Sequence, residues 1–228
     1  MSNPYLTPAL FSFLRDLREN NNRDWFEANK KRYEQDLKDP LLDFIADFAP
    51  FLSQLSPHYL AIPKANGGSL FRIYRDVRFS KNKQPYKTAA GIQFRHRQGR
   101  DVHCPGYYLH IEPDNMFYAM GMWHPSSPDL RAIRNRIVEM PDEWDDVKHD
   151  PDFAETYSWE GESLKRAPKG FDPEHPDIED LRRKDFIGVA RMPEAEAGRP
   201  DFLPYLASQW DKGSGLMRFL GRAVDVPF

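Results

Sequence analysis

Apolar residues recur at helical spacing near the start of the chain, at Leu10, Phe11, Leu14 and Leu17, which predicts a first helix. Thr7 followed by Pro8 supplies a cap side chain and a first-turn proline, and the polar run ENNNR (residues 19–23) ends the helix. A second helix is predicted from Asp24 to about Leu37, with Trp25, Phe26 and Tyr33 among its apolar positions. Asp39 and Pro40 start a third, whose buried stripe is Leu41, Phe44, Ile45 and Phe48. Pro50 is expected to bend or end it, because proline has no N–H to donate and its ring crowds the preceding turn.

The period then changes from helical to alternating. From Leu70 to Phe79, Phe71, Ile73, Val77 and Phe79 fall on one face and Arg72, Tyr74, Asp76 and Arg78 on the other, the pattern of a strand. Further strands are predicted at 88–96, 106–112 and 116–123, joined by a polar loop and short turns, so that two hairpins follow one another. SSPDLRAIRNRIVEM (126–140) then has a serine cap, an early proline and Leu130, Ile133, Ile137 and Met140 in phase for a helix, and shorter helices follow in HPDIEDLRRKDF (175–186) and GSGLMRFLGRAV (213–224). The expected fold class is α+β: an antiparallel sheet of two successive hairpins, covered by N-terminal and C-terminal helices, as one domain over residues 1–228.

Composition narrows the setting. Hydrophobic residues make up 40% of the 228 and aromatics 14%, enough to build a core and too many for a disordered chain. The 20 prolines imply many loops and interrupted helices. No apolar run approaches the roughly twenty residues that cross a bilayer, and the N-terminus lacks the basic and apolar regions of a signal peptide. Cys104 is the sole cysteine, so one chain forms neither an internal disulfide nor a cysteine-based metal site. A cytoplasmic protein with no membrane partner is expected.

Charge is unevenly placed. Residues 64–100 carry ten Lys and Arg against Asp76 alone, a balance of +9 in a chain of net charge −3, so the remainder carries −12. Apolar residues interleave this block, which points to a folded partner surface rather than a solvated tail. The blocks NNRDWFEANKKRY, GGSLFRIYRDVRFSKNKQPYKT, PGYYLHIEP, GMWHP, LKRAPKGFDPEHP and LRRKDF resemble, in order, the successive motifs of the uncharacterised family called domain of unknown function 2461. The resemblance runs from residue 20 to about 187. It implies no activity of its own, so function has to come from chemistry.

If strands 70–79 and 88–96 pair with Phe79 opposite Thr88, then Arg78 faces Ala89 and Asp76 faces Gly91, leaving room above the sheet. Arginines beside such a space suit a phosphate or carboxylate. The candidate ligand-binding residues are Arg72, Tyr74, Arg75, Arg78, Lys83, Tyr86 and Lys87, with Tyr108 and Trp123 from the following hairpin. The bland alternative is that the arginines pair with acids of the remaining surface. Tyr108, His110 and Glu112 project to one face of a strand, and His110 and Glu112 are the candidate acid–base pair. With His124 they form the ligand set of some non-haem iron sites, although a histidine bonded to a neighbouring carboxylate is the more frequent outcome. No cofactor is indicated: NGGSLF leads into no helix and is neither a P-loop nor a dinucleotide fingerprint, and a Gly-x-Ser-x-Gly elbow is absent. Asn20 to Asn22 and Arg23 suit a capped turn as well as a ligand contact.

The expected partner is a small phosphorylated or nucleotide-like anion held at the basic hairpin, with hydrolase or transferase chemistry as its extension. The alternatives are nucleic acid, disfavoured by a pI near 6.2, or an acidic protein partner docked on the same face. A deep cleft would favour the first, an open groove the second and a convex surface the third.

Overall fold

In the computed structural model, residues 3–99 and 103–228 are described. Met1, Ser2 and Arg100, the last cation of the basic block, lie outside them. Helix α1 (Pro8–Glu19) is capped as expected: the Thr7 hydroxyl accepts from the Leu10 amide, and the buried stripe is Leu10, Phe11, Phe13, Leu14 and Leu17. The expected second helix breaks early. Helix α2 ends at Ala28 (Arg23–Ala28). The chain then turns once through Lys30–Arg32, passes through a π-helical stretch, Tyr33–Lys38, and continues as α3 (Asp39–Leu55). Pro50 does not end α3, which runs five residues further and buries Leu52. Tertiary packing of that last turn outweighs the hydrogen bond that proline removes.

The sheet has six strands among the described residues: β1 (Tyr59–Leu60), β2 (Ala90–His96), β3 (Gly106–Ile111), β4 (Met116–Met122), β5 (Ser158–Glu160) and β6 (Phe186–Met192). Their order is β1-β2-β3-β4-β6-β5 and all pairs are antiparallel. The α+β reading and the β2–β3–β4 hairpins therefore hold. The sequence pattern missed β6, which reads Phe-Ile-Gly-Val-Ala-Arg-Met, apolar at almost every position. As an inner strand flanked by β4 and β5 it has no regularly polar face to show alternation.

The strand expected at 70–79 is corrected. Only Leu70 and Tyr74 make isolated bridges, to Ile92 and Tyr86. The Phe71 amide donates to the Gly91 carbonyl at 2.9 Å, after which the segment leaves the sheet and folds back on itself, with the Arg75 amide bonded to the Pro85 carbonyl and Lys87 to that of Ile73. The expected register fails with it: on that edge Leu70 bridges Ile92 and Phe71 bonds to Gly91, where Asp76 was expected. Two physical causes act together. β1 holds the 95–96 end of this edge, and with Leu70 opposite Ile92 the segment runs past the start of β2 at Ala90 within two residues; a full strand would also line up cations with few acids between them, which cross-strand repulsion disfavours. Residues 72–86 thus form an irregular flap beside the sheet.

One face of the sheet carries Ile92, Phe94, Tyr107, Leu109, Ile111 and Met120 and is fully covered. Helix α3 and a C-terminal helix, α4 (Phe202–Asp211), close over it. The Phe94 ring lies 5.3 Å from that of Phe48 and 5.7 Å from that of Trp210, which also meets Tyr107 at 5.0 Å. No helix among the described residues is long and apolar enough to cross a membrane.

Candidate functional site

The opposite face of the sheet presents Gly91, Tyr108, His110, Phe117, Ala119 and Gly121, and small residues there leave a hollow. A cavity of about 520 Å³ occupies it, with Phe71 and Lys87 on one wall and Trp123, Glu160 and Ile187 on the other. The glycines are needed. A Cβ on Gly91 would sit 2.7 Å from the Tyr108 hydroxyl and 2.9 Å from the Phe71 ring. Gly121, at φ +120°, would place one 2.0 Å from the Phe186 carbonyl oxygen, in a conformation that side chains rarely adopt. A second, more polar recess of about 350 Å³ is lined by Arg75, Asn82, Gln84, Tyr86 and Lys87. The two share Lys87, Ala89 and His110 and meet there.

The flap is anchored by residues whose role was open in the sequence. The Asn21 side chain grips the backbone of Tyr86 from both sides, donating to its carbonyl at 3.0 Å and accepting from its amide at 3.1 Å. The Tyr86 ring stacks on Phe26 with centroids 4.0 Å apart, so Tyr86 is buried rather than presented as a platform. Asn22 caps α2 through the Trp25 amide. This anchoring fixes the backbone immediately before Lys87.

The basic side chains divide. Arg78 forks onto Asp76 with contacts of 3.0 and 2.7 Å, and the hydrogen bond holds Asp76 down at a pKa of about 2. Lys83 donates to the Val77 carbonyl at 2.9 Å. Both are exposed at the flap tip, beside a Phe79 ring that is 94% exposed, and neither lines a cavity. Arg72 is exposed near Lys87, and Tyr74 lies against the edge of Phe26. Lys87 and Arg75 remain. Among the described residues neither side chain has a carboxylate or hydrogen-bond acceptor as partner. Lys87 Nζ lies 5.2 Å over the Phe71 ring, and burial followed by the nearby Arg72 charge lowers its pKa.

Tyr108, His110 and Glu112 share a face, as their spacing implied. His110 Nε2 is 3.1 Å from Glu112 Oε2, and His110 Nδ1 is 3.0 Å from the Tyr108 hydroxyl. Asn115 donates to the same Glu112 oxygen at 2.8 Å. Glu112 Oε2 accepts from the Nε2–H, so Nδ1 accepts from Tyr108. Both ring nitrogens are then occupied, and the group that the relay sets at the cavity floor is the Tyr108 hydroxyl. Burial, then the Glu112 charge, pushes its pKa up to about 12, which keeps it a donor. The His110 ring also stacks on Phe117, its partner across the ladder, at 4.6 Å.

His124 is drawn away from this relay. Its Nδ1 lies 3.0 Å from Oδ1 of the buried Asp185, and among the described residues no three His, Cys, Asp or Glu side chains come together to hold a metal. Trp123 lines the cavity mouth and is half exposed. Glu160, the carboxylate on the far wall, is engaged by Arg191 at 2.8 Å. Sequence reasoning missed Phe71, Phe117 and Glu160 as wall residues; Phe117 was within reach, since a hairpin turn at 112–115 sets it opposite His110.

Comparison with curated proteins finds no match for the chain. A family model matches residues 9–219, so the resemblance carried by the motifs between 20 and 187 extends over nearly the whole fold, and the chain belongs to the family described as conserved hypothetical protein DUF2461.

Proposed function

We propose that the protein binds a small phosphorylated or nucleotide-like anion, its flat apolar body in the larger cavity and its anionic group at Lys87 and Arg75. The observation that carries this reading is the pair of cations without internal counter-charge, set where an apolar cavity and a polar recess meet. An unpaired ammonium against apolar walls is costly to hold, and an anionic ligand relieves that cost. Enclosure between sheet and flap supports a small ligand over a nucleic-acid strand, which needs an open groove. Phe71, Phe117 and Trp123 suit an aromatic body.

Tyr108, His110 and Glu112 give the same site a route for a proton. Tyr108 takes a proton from the ligand as its own hydroxyl proton passes to His110 Nδ1, leaving an imidazolium that Glu112 steadies, and the reverse passage returns a proton to the ligand. That is the acid–base provision of a hydrolase or transferase acting beside the anion.

Calorimetric titration of nucleoside monophosphates against the matching nucleosides tests the binding. The monophosphates are expected to bind more tightly, and Lys87→Met or Arg75→Met to weaken them by about 1.5–3 kcal/mol each, the worth of a hydrogen bond to a charged group. Equal affinity for the two ligand sets, or indifference to both substitutions, would overturn the proposal.

A further inference from the structure

We infer that Lys87 is a carbonyl-capturing amine, and that the ligands it takes include aldehydes or ketones with an apolar body and an anionic group. The inference deepens the reading above: it relies on that reading for the anion, but not for the amine.

Three observations place a nucleophile here. The Lys87 side chain is partly buried among apolar walls and has no acceptor or carboxylate to hold it as an ammonium. Arg72 adds a second positive charge close by, and together with burial it lowers the Lys87 pKa. Desolvation and a neighbouring cation are the two means by which proteins make a lysine uncharged enough to attack a carbonyl. The third is the company it keeps. Tyr108, held as a donor by His110, shares the larger cavity with Lys87, and Arg75 shares the smaller one. Acid, amine and anion holder therefore surround one junction.

The chemistry closes without an external oxidant or reductant. The Lys87 ammonium passes one proton through the Tyr108 hydroxyl to His110 Nδ1, and the free Nζ pair bonds to the carbonyl carbon while the C=O π pair moves onto oxygen. Tyr108 protonates that oxygen as it regains a proton from the His110 imidazolium, then passes a proton from the nitrogen back to His110, giving a neutral carbinolamine. The hydroxyl then takes up that proton and leaves as water while the nitrogen pair forms C=N. One ammonium and one carbonyl give one protonated imine and one water.

Trapping with 4-carboxybenzaldehyde and cyanoborohydride on the full chain, followed by peptide mapping, tests this, with benzaldehyde as the arm lacking an anion. At limiting aldehyde the reduced adduct is expected at Lys87 before exposed lysines such as Lys31 and Lys83. It should be lost in Lys87→Arg, which keeps the charge, with the surface background unchanged. Arg75→Met should slow capture of 4-carboxybenzaldehyde and leave benzaldehyde capture as it was. Label spread over the exposed lysines, with Lys87 no faster, overturns the inference from wild-type protein alone. Capture of both aldehydes at equal rates keeps the amine and removes the anion subsite. Reversible binding of 4-carboxybenzaldehyde that leaves no adduct at Lys87 keeps the subsite and removes the amine.

Discussion

At the scale of single residues, Lys87 sets stability against function. Its pKa is lowered in the folded state, so the folded protein holds that proton less well than the unfolded chain, and the ammonium opposes folding at neutral pH. Lys87→Met is therefore expected to raise stability by about 0.5–2 kcal/mol, as replacements of strained functional groups commonly do, while weakening the proposed anion binding. A lower urea midpoint in this variant would contradict the account. His96 gives the pH dependence. It is buried, its Nε2–H donates to the Pro227 carbonyl at 2.9 Å, and its Nδ1 accepts from the Gln98 amide at 3.2 Å. Both contacts use the neutral ring, and burial is the main cause that lowers its pKa. The unfolded chain takes up this proton near pH 6.5, so the contribution is whole above that value and is lost as pH falls below it. Urea midpoints at pH 7.5 and pH 5 should differ more in the wild type than in His96→Gln; equal differences would remove His96 from the explanation.

At the scale of elements, the flap has little regular structure to hold it. Tyr74 and Tyr86 form one bridge, and the Asn21 grip and the Phe26 stack supply the rest. Replacing a side chain that satisfies two backbone groups typically costs about 1–3 kcal/mol. Asn21→Ala should cost about that much and release the flap locally. Hydrogen exchange at the Tyr86 and Lys87 amides reads this directly, and ligand affinity should fall in step because Lys87 loses its placement. Unchanged exchange at those amides would show that Phe26 alone holds the flap.

At the scale of the whole molecule, one contiguous core runs from Leu6 to Leu220 and joins N-terminal helices, sheet and C-terminal helices. Elements that share a core should unfold together. A single transition is expected, with near- and far-ultraviolet circular dichroism reporting the same midpoint; two separated transitions would divide the chain into units. The −12 carried outside residues 64–100 outweighs the +9 within them, so the net field of the chain repels an anion. Binding at the cationic junction therefore depends on the enclosed cations rather than on the net field.

The sequence by itself determined what is local. Helix α1 and its cap, the stripes of α3, the strands around 90–96, 106–111 and 116–122, and the shared face of Tyr108, His110 and Glu112 follow from side-chain period and short turns. These are properties of a few neighbouring residues. The tertiary structure decided what depends on partners far along the chain. The alternation of 70–79 promised a strand, but its pairing at Leu70–Ile92 carried it past the start of β2, and Tyr86 found Phe26 and Asn21 some sixty residues away. Arg78 met Asp76 beside it, whereas Lys87 and Arg75 met no acid among the described residues. No count of charges along a chain distinguishes these cases, because a cation's role depends on which carboxylates the fold brings within reach. The hollow has the same origin: Gly91 and Ala119 make a floor only because β2, β3 and β4 lie side by side, and β6, whose strand pattern was hidden because both its faces are mostly apolar, completes its far wall.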